Sequence, residues 1–234
     1  MKIEVFENPE QASLGAARFL AAEARESIVA RGQFLAAFSG GISPWPMLEA
    51  WAGEKVPWEN VQIGQVDERV APADAPERNL PRLRKALQGS GLHSEQIHAM
   101  PVESTDLGSA VHNYALALQM IVGIPPALDL IHLGLGADGH TASLFPGDPV
   151  LEVVEADVAL TRVWNGLRRM TFTLPMLNRA RRLLWLVTGA EKAPVLASLV
   201  RGNASLPAGR VRQDNAILFA DRAAAQMLPK SNHH

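Results

Sequence analysis

The chain has 234 residues, no cysteine and a formal net charge of −2, from 22 basic and 24 acidic side chains. Near-neutral charge argues against a nucleic-acid binder, which carries a clear basic excess, and against electrostatic attachment to a membrane. The lack of cysteine excludes disulfides, thiolate metal sites and a cysteine nucleophile. The length suits one domain, which we expect to span residues 1–234.

Targeting signals are not evident in the sequence. No apolar run approaches the roughly 20 residues that span a bilayer, and residues 1–7 alternate polar and apolar side chains instead of forming the apolar centre of a signal peptide. We therefore expect a cytoplasmic protein without a membrane partner. The closing His233 and His234 are given no functional role.

The predicted elements alternate between strand and helix. Residues 2–6 suit a strand, and the following helix has Asn8 as its cap, Pro9 in its first turn and Gly32 at its end. Residues 34–38 are wholly apolar and too short for a helix, which predicts a strand buried on both faces. Further predicted strands are residues 61–66, 97–100, 128–133, 170–174, 183–187 and 217–219. Further predicted helices are residues 44–51, 80–87, 106–122, 191–200 and 221–227.

This alternation predicts an α/β fold, with a mostly parallel sheet between two layers of helices. Residues 148–178 depart from it and suggest a small antiparallel insertion or a lid.

Glycines, hydroxyls and charges follow four of the predicted strands. They occupy residues 39–44, 67–69, 134–141 and 188–192. Because ligands of parallel α/β sheets bind beyond the carboxyl ends of the strands, we expect these loops to form one active site. Their composition suits an anionic, oxygen-rich ligand.

The first loop, Ser39-Gly40-Gly41-Ile42-Ser43-Pro44, has two interpretations. Its glycines and the start of the next helix suit a phosphate group. Alternatively it is a tight strand–helix turn, with Ser43 as the helix cap. It matches neither the Walker loop nor the dinucleotide fingerprint.

The second loop, Asp67-Glu68-Arg69, is either a salt-bridged turn or part of the site. Arg69 suits a phosphate or carboxylate, and Asp67 suits sugar hydroxyls or a cationic neighbour. Asn79 either caps the next helix or reaches the same pocket.

His140 follows a glycine-rich turn after a buried strand, and histidine is well suited to proton transfer at neutral pH. Four other histidines are interpreted as helix or surface residues: His93, His98, His112 and His132. Lys192 lies near a helix start, where it either binds an anion or is exposed. Of Arg168 and Arg169, adjacent on a strand, only one should face the pocket.

Three segments together resemble the 6-phosphogluconolactonase family, in order over almost the whole chain. They are residues 38–44, residues 66–69 and residues 134–147. The related glucosamine-6-phosphate deaminases share the Gly-x-Gly-x-Asp-Gly-His core but usually continue differently after the histidine. The chain departs from the usual pattern at Ile42, at Ser43, at Arg78 and over residues 164–167.

The resemblance implies a Rossmann-like α/β fold and hydrolysis of 6-phospho-D-glucono-1,5-lactone, the second step of the oxidative pentose phosphate pathway. It implies no metal or organic cofactor, and a phosphorylated sugar lactone as the small-molecule partner. We expect a monomer or weak homo-oligomer. The candidate catalytic residues are His140, Asp67 and Lys192. The candidate substrate-binding residues are Ser39, Gly40, Gly41, Ser43, Arg69, Asn79, Gly136, Asp138 and Arg169.

The expected mechanism has neutral His140 as a general base on water, which attacks the lactone carbonyl. Two alternatives stay open. One is a deaminase or isomerase of sugar phosphates, which would release ammonia from glucosamine 6-phosphate. The other is a sugar-phosphate-binding module without turnover.

Overall fold

The computed structural model describes residues 1–229, so His233 and His234 lie outside the described residues. The strands are β1 (Lys2–Phe6), β2 (Phe34–Phe38), β3 (Val61–Gln65), β4 (Asp67–Arg69), β5 (Ile97–His98), β6 (Leu130–Leu133), β7 (Val158–Leu160), β8 (Arg169–Phe172), β9 (Arg182–Val187) and β10 (Ala216–Asp221). The helices are α1 (Pro9–Arg31), α2 (Pro44–Ala52), α3 (Asn79–Ala86), α4 (Leu107–Val122), α5 (Leu174–Asn178), α6 (Ala193–Val200) and α7 (Arg222–Ala225). No helix among these residues is both long and apolar enough to cross a membrane.

A seven-stranded sheet in the order β1-β10-β9-β6-β2-β3-β5 forms the centre of the molecule, and all its paired strands run parallel. Alternate side chains of β2 enter two different cores, because successive residues of a strand point to opposite faces. Phe34 and Phe38 pack beneath α1 and α2, whereas Leu35 packs on the face that α4 and α6 cover. The predicted α/β fold with helices on both faces is confirmed.

The predicted limits of α1 are also confirmed. The Asn8 side chain accepts a hydrogen bond from the backbone N–H of Gln11, and Gly32 ends the helix with φ +80°. A left-handed residue at this position favours glycine, which has no side chain to clash there.

A second sheet, in the antiparallel order β4-β8-β7, confirms the insertion that residues 148–178 suggest and corrects two details. The predicted strand 170–174 is observed as Arg169–Phe172 and belongs to this small sheet. Asp67–Arg69 forms a strand instead of a turn, paired with β8 in the register Asp67↔Thr171 and Arg69↔Arg169. The insertion is therefore joined to the end of β3.

His132 is neither a helix residue nor a surface residue, so its interpretation from the sequence is wrong. It lies on β6, fully buried, with its ring 6.1 Å from that of Phe38. Neither ring nitrogen has a hydrogen-bond partner among residues 1–229. Burial penalises the charged ring and lowers the pKa of His132 to about 3. His98 is also on a strand and half-buried, with its Nε2 2.7 Å from Oε1 of Gln62.

We predict that His132→Leu weakens the acid sensitivity of folding. Below its ordinary pKa of 6.5 the histidine of the unfolded chain binds a proton, whereas the buried ring stays neutral down to about pH 3. Stability is therefore lost as the pH falls through this window, by about 1.4 kcal/mol per pH unit. Between pH 7 and pH 5 the wild type should lose about 2 kcal/mol of unfolding free energy that the variant retains.

Urea unfolding at both pH values measures this difference. His112→Gln, a change at an exposed position of α4, is the control and should follow the wild type. Equal losses in wild type and His132→Leu would show that the buried ring does not contribute to the acid sensitivity.

Candidate active site

A cavity of about 490 Å³ opens at the carboxyl edge of the central sheet, and we call it the main cavity. The loops after β2, β6 and β9 and the strand β4 line it. The candidate residues on its wall are Ser39, Gly40, Gly41, Ser43, Asp67, Arg69, Gly136, His140 and Lys192. Asn79, Asp138 and Arg169 are not among the lining residues. The structure thus brings together most of the candidate residues.

His140 is held at the wall by Asp138. Its Nδ1 lies 2.5 Å from Oδ1 of Asp138, and its side chain is 34% exposed. Partial burial raises the pKa of Asp138, but hydrogen bonds from the ring and backbone N–H of His140 outweigh this effect, and the pKa lies below its ordinary value. Since an ionised carboxylate only accepts, Nδ1 carries the proton and Nε2 is the basic nitrogen.

Gly136 is required for this pair. A Cβ at Gly136 would overlap both the imidazole of His140 and the carboxylate of Asp138. Beneath the ring lies Phe145, 4.8 Å away between centroids, which in turn stacks on Trp164 at 4.6 Å. The orientation of His140 is therefore fixed by a hydrogen bond on one side and aromatic packing on the other.

The Ser39–Ser43 loop lies against Asn79. A Cβ at Gly40 would overlap the Asn79 amide, so only glycine fits there. Gly41 has φ +122°, a second position that favours glycine. Ser43 precedes α2, but its side chain does not cap the helix and instead lies 3.1 Å from the Thr188 hydroxyl. The helix-cap interpretation of the Ser43 side chain is therefore wrong.

The Ser43–Thr188 contact joins the glycine loop to the segment that leads to Lys192. Lys192 lies directly before α6 and lines the main cavity, as Thr188 does. Thr188 was not among the candidate residues. It directly follows the carboxyl end of β9, which is the position that identified the others, so the sequence could have pointed to it.

Asp67 connects the second loop to the His140 segment. Its Oδ2 accepts a hydrogen bond from the Ser143 hydroxyl at 2.7 Å, and its side chain is buried. The backbone N–H of Ser143 in turn donates to the hydroxyl of Thr171 on β8. Ala142, beside Ser143, has φ +51°, a region that non-glycine residues rarely adopt. Ala142, the residue with this strained backbone, lines the main cavity.

Glu68 organises the opposite side of the site, a role that the sequence analysis missed. Its carboxylate is fully buried and accepts hydrogen bonds from the backbone N–H groups of Arg69, Asn79 and Leu80 at 2.8–3.0 Å. Glu68 thus satisfies the first N–H groups of α3, and the interpretation of Asn79 as the helix cap is wrong. The Asn79 side chain instead donates to the backbone carbonyl of Asp67 and accepts from Arg69.

The buried guanidinium of Arg78 compensates the charge of Glu68. Its Nε lies 3.3 Å from Oε2 of Glu68, and its Nη1 lies 2.9 Å from Glu103. Taking two charges out of water costs several kcal/mol per ion, so loss of either partner leaves the other uncompensated.

A side cavity of about 370 Å³ adjoins the main one. Arg69, Gly41 and Ile42 line both cavities, whereas Arg169 and Asn79 line only the side cavity. The three candidate cations are thereby separated: Lys192 in the main cavity, Arg169 in the side cavity and Arg69 between them.

Within residues 1–229, no group of three or more histidine, aspartate or glutamate side chains is arranged to hold a metal ion. Asp138 and His140 form a pair without a third such ligand. The chemistry that the cavity residues offer is proton transfer by His140 and anion binding by the loop N–H groups and the cations.

We predict that Glu68→Gln lowers the free energy of unfolding by about 3 kcal/mol, because the Arg78 charge loses its buried partner and an amide N–H₂ faces backbone N–H donors. Chemical denaturation measures the loss. Glu103→Gln is the matched control: this second partner of Arg78 is 55% exposed, and we expect a loss below about 1 kcal/mol. Equal effects of the two changes would contradict the role of Glu68.

Known proteins resemble this chain over most of its length. The profile of the family described as "Glucosamine-6-phosphate isomerases/6-phosphogluconolactonase" matches residues 7–219. A 6-phosphogluconolactonase of Synechocystis is 37% identical over 212 residues, covering 87% of this chain and 88% of the relative. One of Mycobacterium tuberculosis is 34% identical, covering 97% and 98%.

A solved monomeric glucosamine-6-phosphate deaminase superposes with a TM-score of 0.85 at 18% identity, over 97% of this chain and 100% of that one. At this identity the likeness shows the shared fold alone. The chain belongs to the glucosamine-6-phosphate isomerase/6-phosphogluconolactonase family.

Proposed function

We propose that the main cavity hydrolyses 6-phospho-D-glucono-1,5-lactone to 6-phospho-D-gluconate, with His140 as the general base. The activity is inferred from the relatives named above, which are 6-phosphogluconolactonases. This chain aligns with 88% and 98% of their length. One observation supports this mechanism. Nδ1 of His140 lies 2.5 Å from Oδ1 of Asp138, and His140 lines the same cavity as the Ser39–Ser43 loop.

The free Nε2 of His140 removes a proton from water as the water oxygen attacks C1 of the lactone. The resulting imidazolium is stabilised by the Asp138 carboxylate and returns its proton to the ring oxygen when the C1–O bond breaks. A positioned base of this kind contributes roughly 10²- to 10⁴-fold. The lactone is an activated ester, so no covalent intermediate is needed.

We assign the phosphate to the Ser39–Ser43 loop and Lys192. The Ser43–Thr188 contact places the two segments side by side, and the loop offers backbone N–H groups at the start of α2. Lys192 then binds the substrate instead of acting at the reacting carbon.

Arg69 is assigned to the reacting end. Asp67, two residues before it on β4, accepts a hydrogen bond from Ser143, which follows His140 by three residues. Arg69 and His140 line the same main cavity. A guanidinium there stabilises the oxyanion that develops at C1, an interaction that strengthens in the transition state. Because the substrate is then held at both its phosphate and its carbonyl, C1 is positioned for attack by water, and this positioning further raises the rate.

We predict that His140→Ala lowers kcat/KM by roughly 10²- to 10⁴-fold with little loss of stability, because the side chain is partly exposed at the cavity wall. Glucose-6-phosphate dehydrogenase generates the lactone during the assay, and acid formation is compared with the uncatalysed background. His112→Ala, an exposed histidine on α4, is the matched control.

Near-normal turnover by His140→Ala would refute the general-base assignment. Ammonia release from glucosamine 6-phosphate without lactone turnover would assign the wild type to the deaminase branch. Binding of 6-phosphogluconate without any turnover would leave a binding module.

We predict that Lys192→Met raises KM by about 10- to 100-fold with a smaller change in kcat. Loss of a charge-assisted hydrogen bond to phosphate costs about 1.5–3 kcal/mol of binding. Initial rates over a range of lactone concentrations separate the two constants. Lys85→Met, an exposed lysine of α3, is the control. A fall in kcat at unchanged KM would instead place Lys192 at the reacting carbon.

A further inference from the structure

The side cavity has the size of a ligand site and an unusual charge. Four arginines and one glutamate line it: Arg69, Arg78, Arg82, Arg169 and Glu77. Its volume of about 370 Å³ far exceeds the space of one ion and falls in the range of small-molecule pockets.

Arg69 and Arg169 face each other directly across the pairing of β4 and β8. Like charges at opposed positions destabilise a sheet. Arg169 is only 9% exposed, and its Nη1 donates to the backbone carbonyl of Trp164 while the guanidinium lies 4.9 Å above the Phe145 ring. Burial first, and the charge of Arg69 second, lower the pKa of Arg169, with Asp67 acting in the opposite direction.

Arg78 is neutralised by its carboxylate partners, but the other three arginines are not. Within residues 1–229, no carboxylate oxygen lies within 4.0 Å of a side-chain nitrogen of Arg69, Arg82 or Arg169. Of these three, Arg169 is buried, and a buried cation without an opposite charge is costly. An anion in this cavity would compensate its charge.

Ile42 separates the two cavities at their outer edge. It is 87% exposed and lines both, so it forms a lip between the glycine loop and the arginines.

We propose that the side cavity is a second binding site for a phosphorylated small molecule of sugar-phosphate size, held by Arg69, Arg82 and Arg169. This rests on the proposed function, because it requires the substrate phosphate to occupy the main cavity. Arg69 lines both cavities. A ligand in the side cavity therefore draws the Arg69 guanidinium away from the lactone carbonyl and lowers turnover. High concentrations of phosphorylated product should therefore give mixed, not purely competitive, inhibition.

The test is a calorimetric titration of the intact chain with 6-phosphogluconate, which should find two sites. Arg82→Gln should remove the weaker site and make product inhibition purely competitive, while kcat/KM at low product concentration changes less than twofold. Arg84→Gln is the matched control, an exposed arginine of the same helix that does not line the cavity, and it should keep both sites. A parallel titration with inorganic phosphate shows whether the phosphoryl group alone suffices.

One site in the wild type, or two sites unaffected by Arg82→Gln, would overturn the proposal. A single site together with a tenfold or larger rise in the lactone KM of Arg82→Gln would also overturn it, because the substrate phosphate itself would then occupy the side cavity. Failure of the proposed function is distinguishable, since it shows as absent lactone turnover in the wild type whatever the stoichiometry.

Discussion

The pairing of β2 with β6 determines where the ligand-binding crevice of this protein lies. The chain leaves β2 toward β3 and β5 on one side of the sheet, while β6 continues toward β9 and β10 on the other. The loops that follow these two neighbouring strands therefore diverge and open a crevice at the carboxyl edge. Asp129 fixes the pairing at its other end: its carboxylate accepts from the N–H of Leu35, and its own N–H donates to the Leu35 carbonyl. The glycine loop and the His140 loop are the two sides of that crevice.

Close packing around two glycines converts the crevice into a defined site. Gly40 lets the Asn79 amide lie directly on the loop after β2, and Gly136 lets the Asp138–His140 pair lie on the loop after β6. A larger residue at Gly40 would displace the Asn79 amide, and one at Gly136 would displace the Asp138–His140 pair. The two loops are then connected through Asp67 and Ser143 on one side and through Ser43 and Thr188 on the other. The groups that the proposed mechanism uses are thus held by elements far apart in sequence.

The alternation of apolar strands and amphipathic helices was sufficient to predict the parallel sheet, because the inner strands are buried on both faces and the helices that cover them on one. The rule that ligands bind beyond the carboxyl ends of parallel strands was sufficient to predict most of the residues that line the main cavity. It could not find Glu68 as a helix cap, since the N–H groups it accepts lie 11 and 12 residues further along the chain. His132 was misinterpreted because a lone histidine is more often a helix or surface residue, although it lies within the predicted strand 128–133.

A local signal was also available at the tip of the insertion. Asn165 and Gly166 both have positive φ, at 50° and 79°, as a two-residue hairpin turn requires, and Asn-Gly is its strongest sequence signature. This turn pairs Trp164 with Leu167 and so places both Trp164 and Arg169 near Phe145. Interpreting it as a hairpin would have predicted β7 and β8 as antiparallel partners from the sequence alone.

Net charge is a poor guide to the ligand of this chain, because the ligand is attracted by the local field of the site. The whole chain carries −2, yet both cavities have arginine or lysine on their walls. Two buried carboxylates beside the cavities are already engaged within the protein, Asp67 with Ser143 and Glu68 with Arg78. A focused positive potential in a cleft raises the local concentration of an anionic substrate while the remaining surface stays near neutral. A doubly charged phosphate ester is the ligand class that this distribution favours.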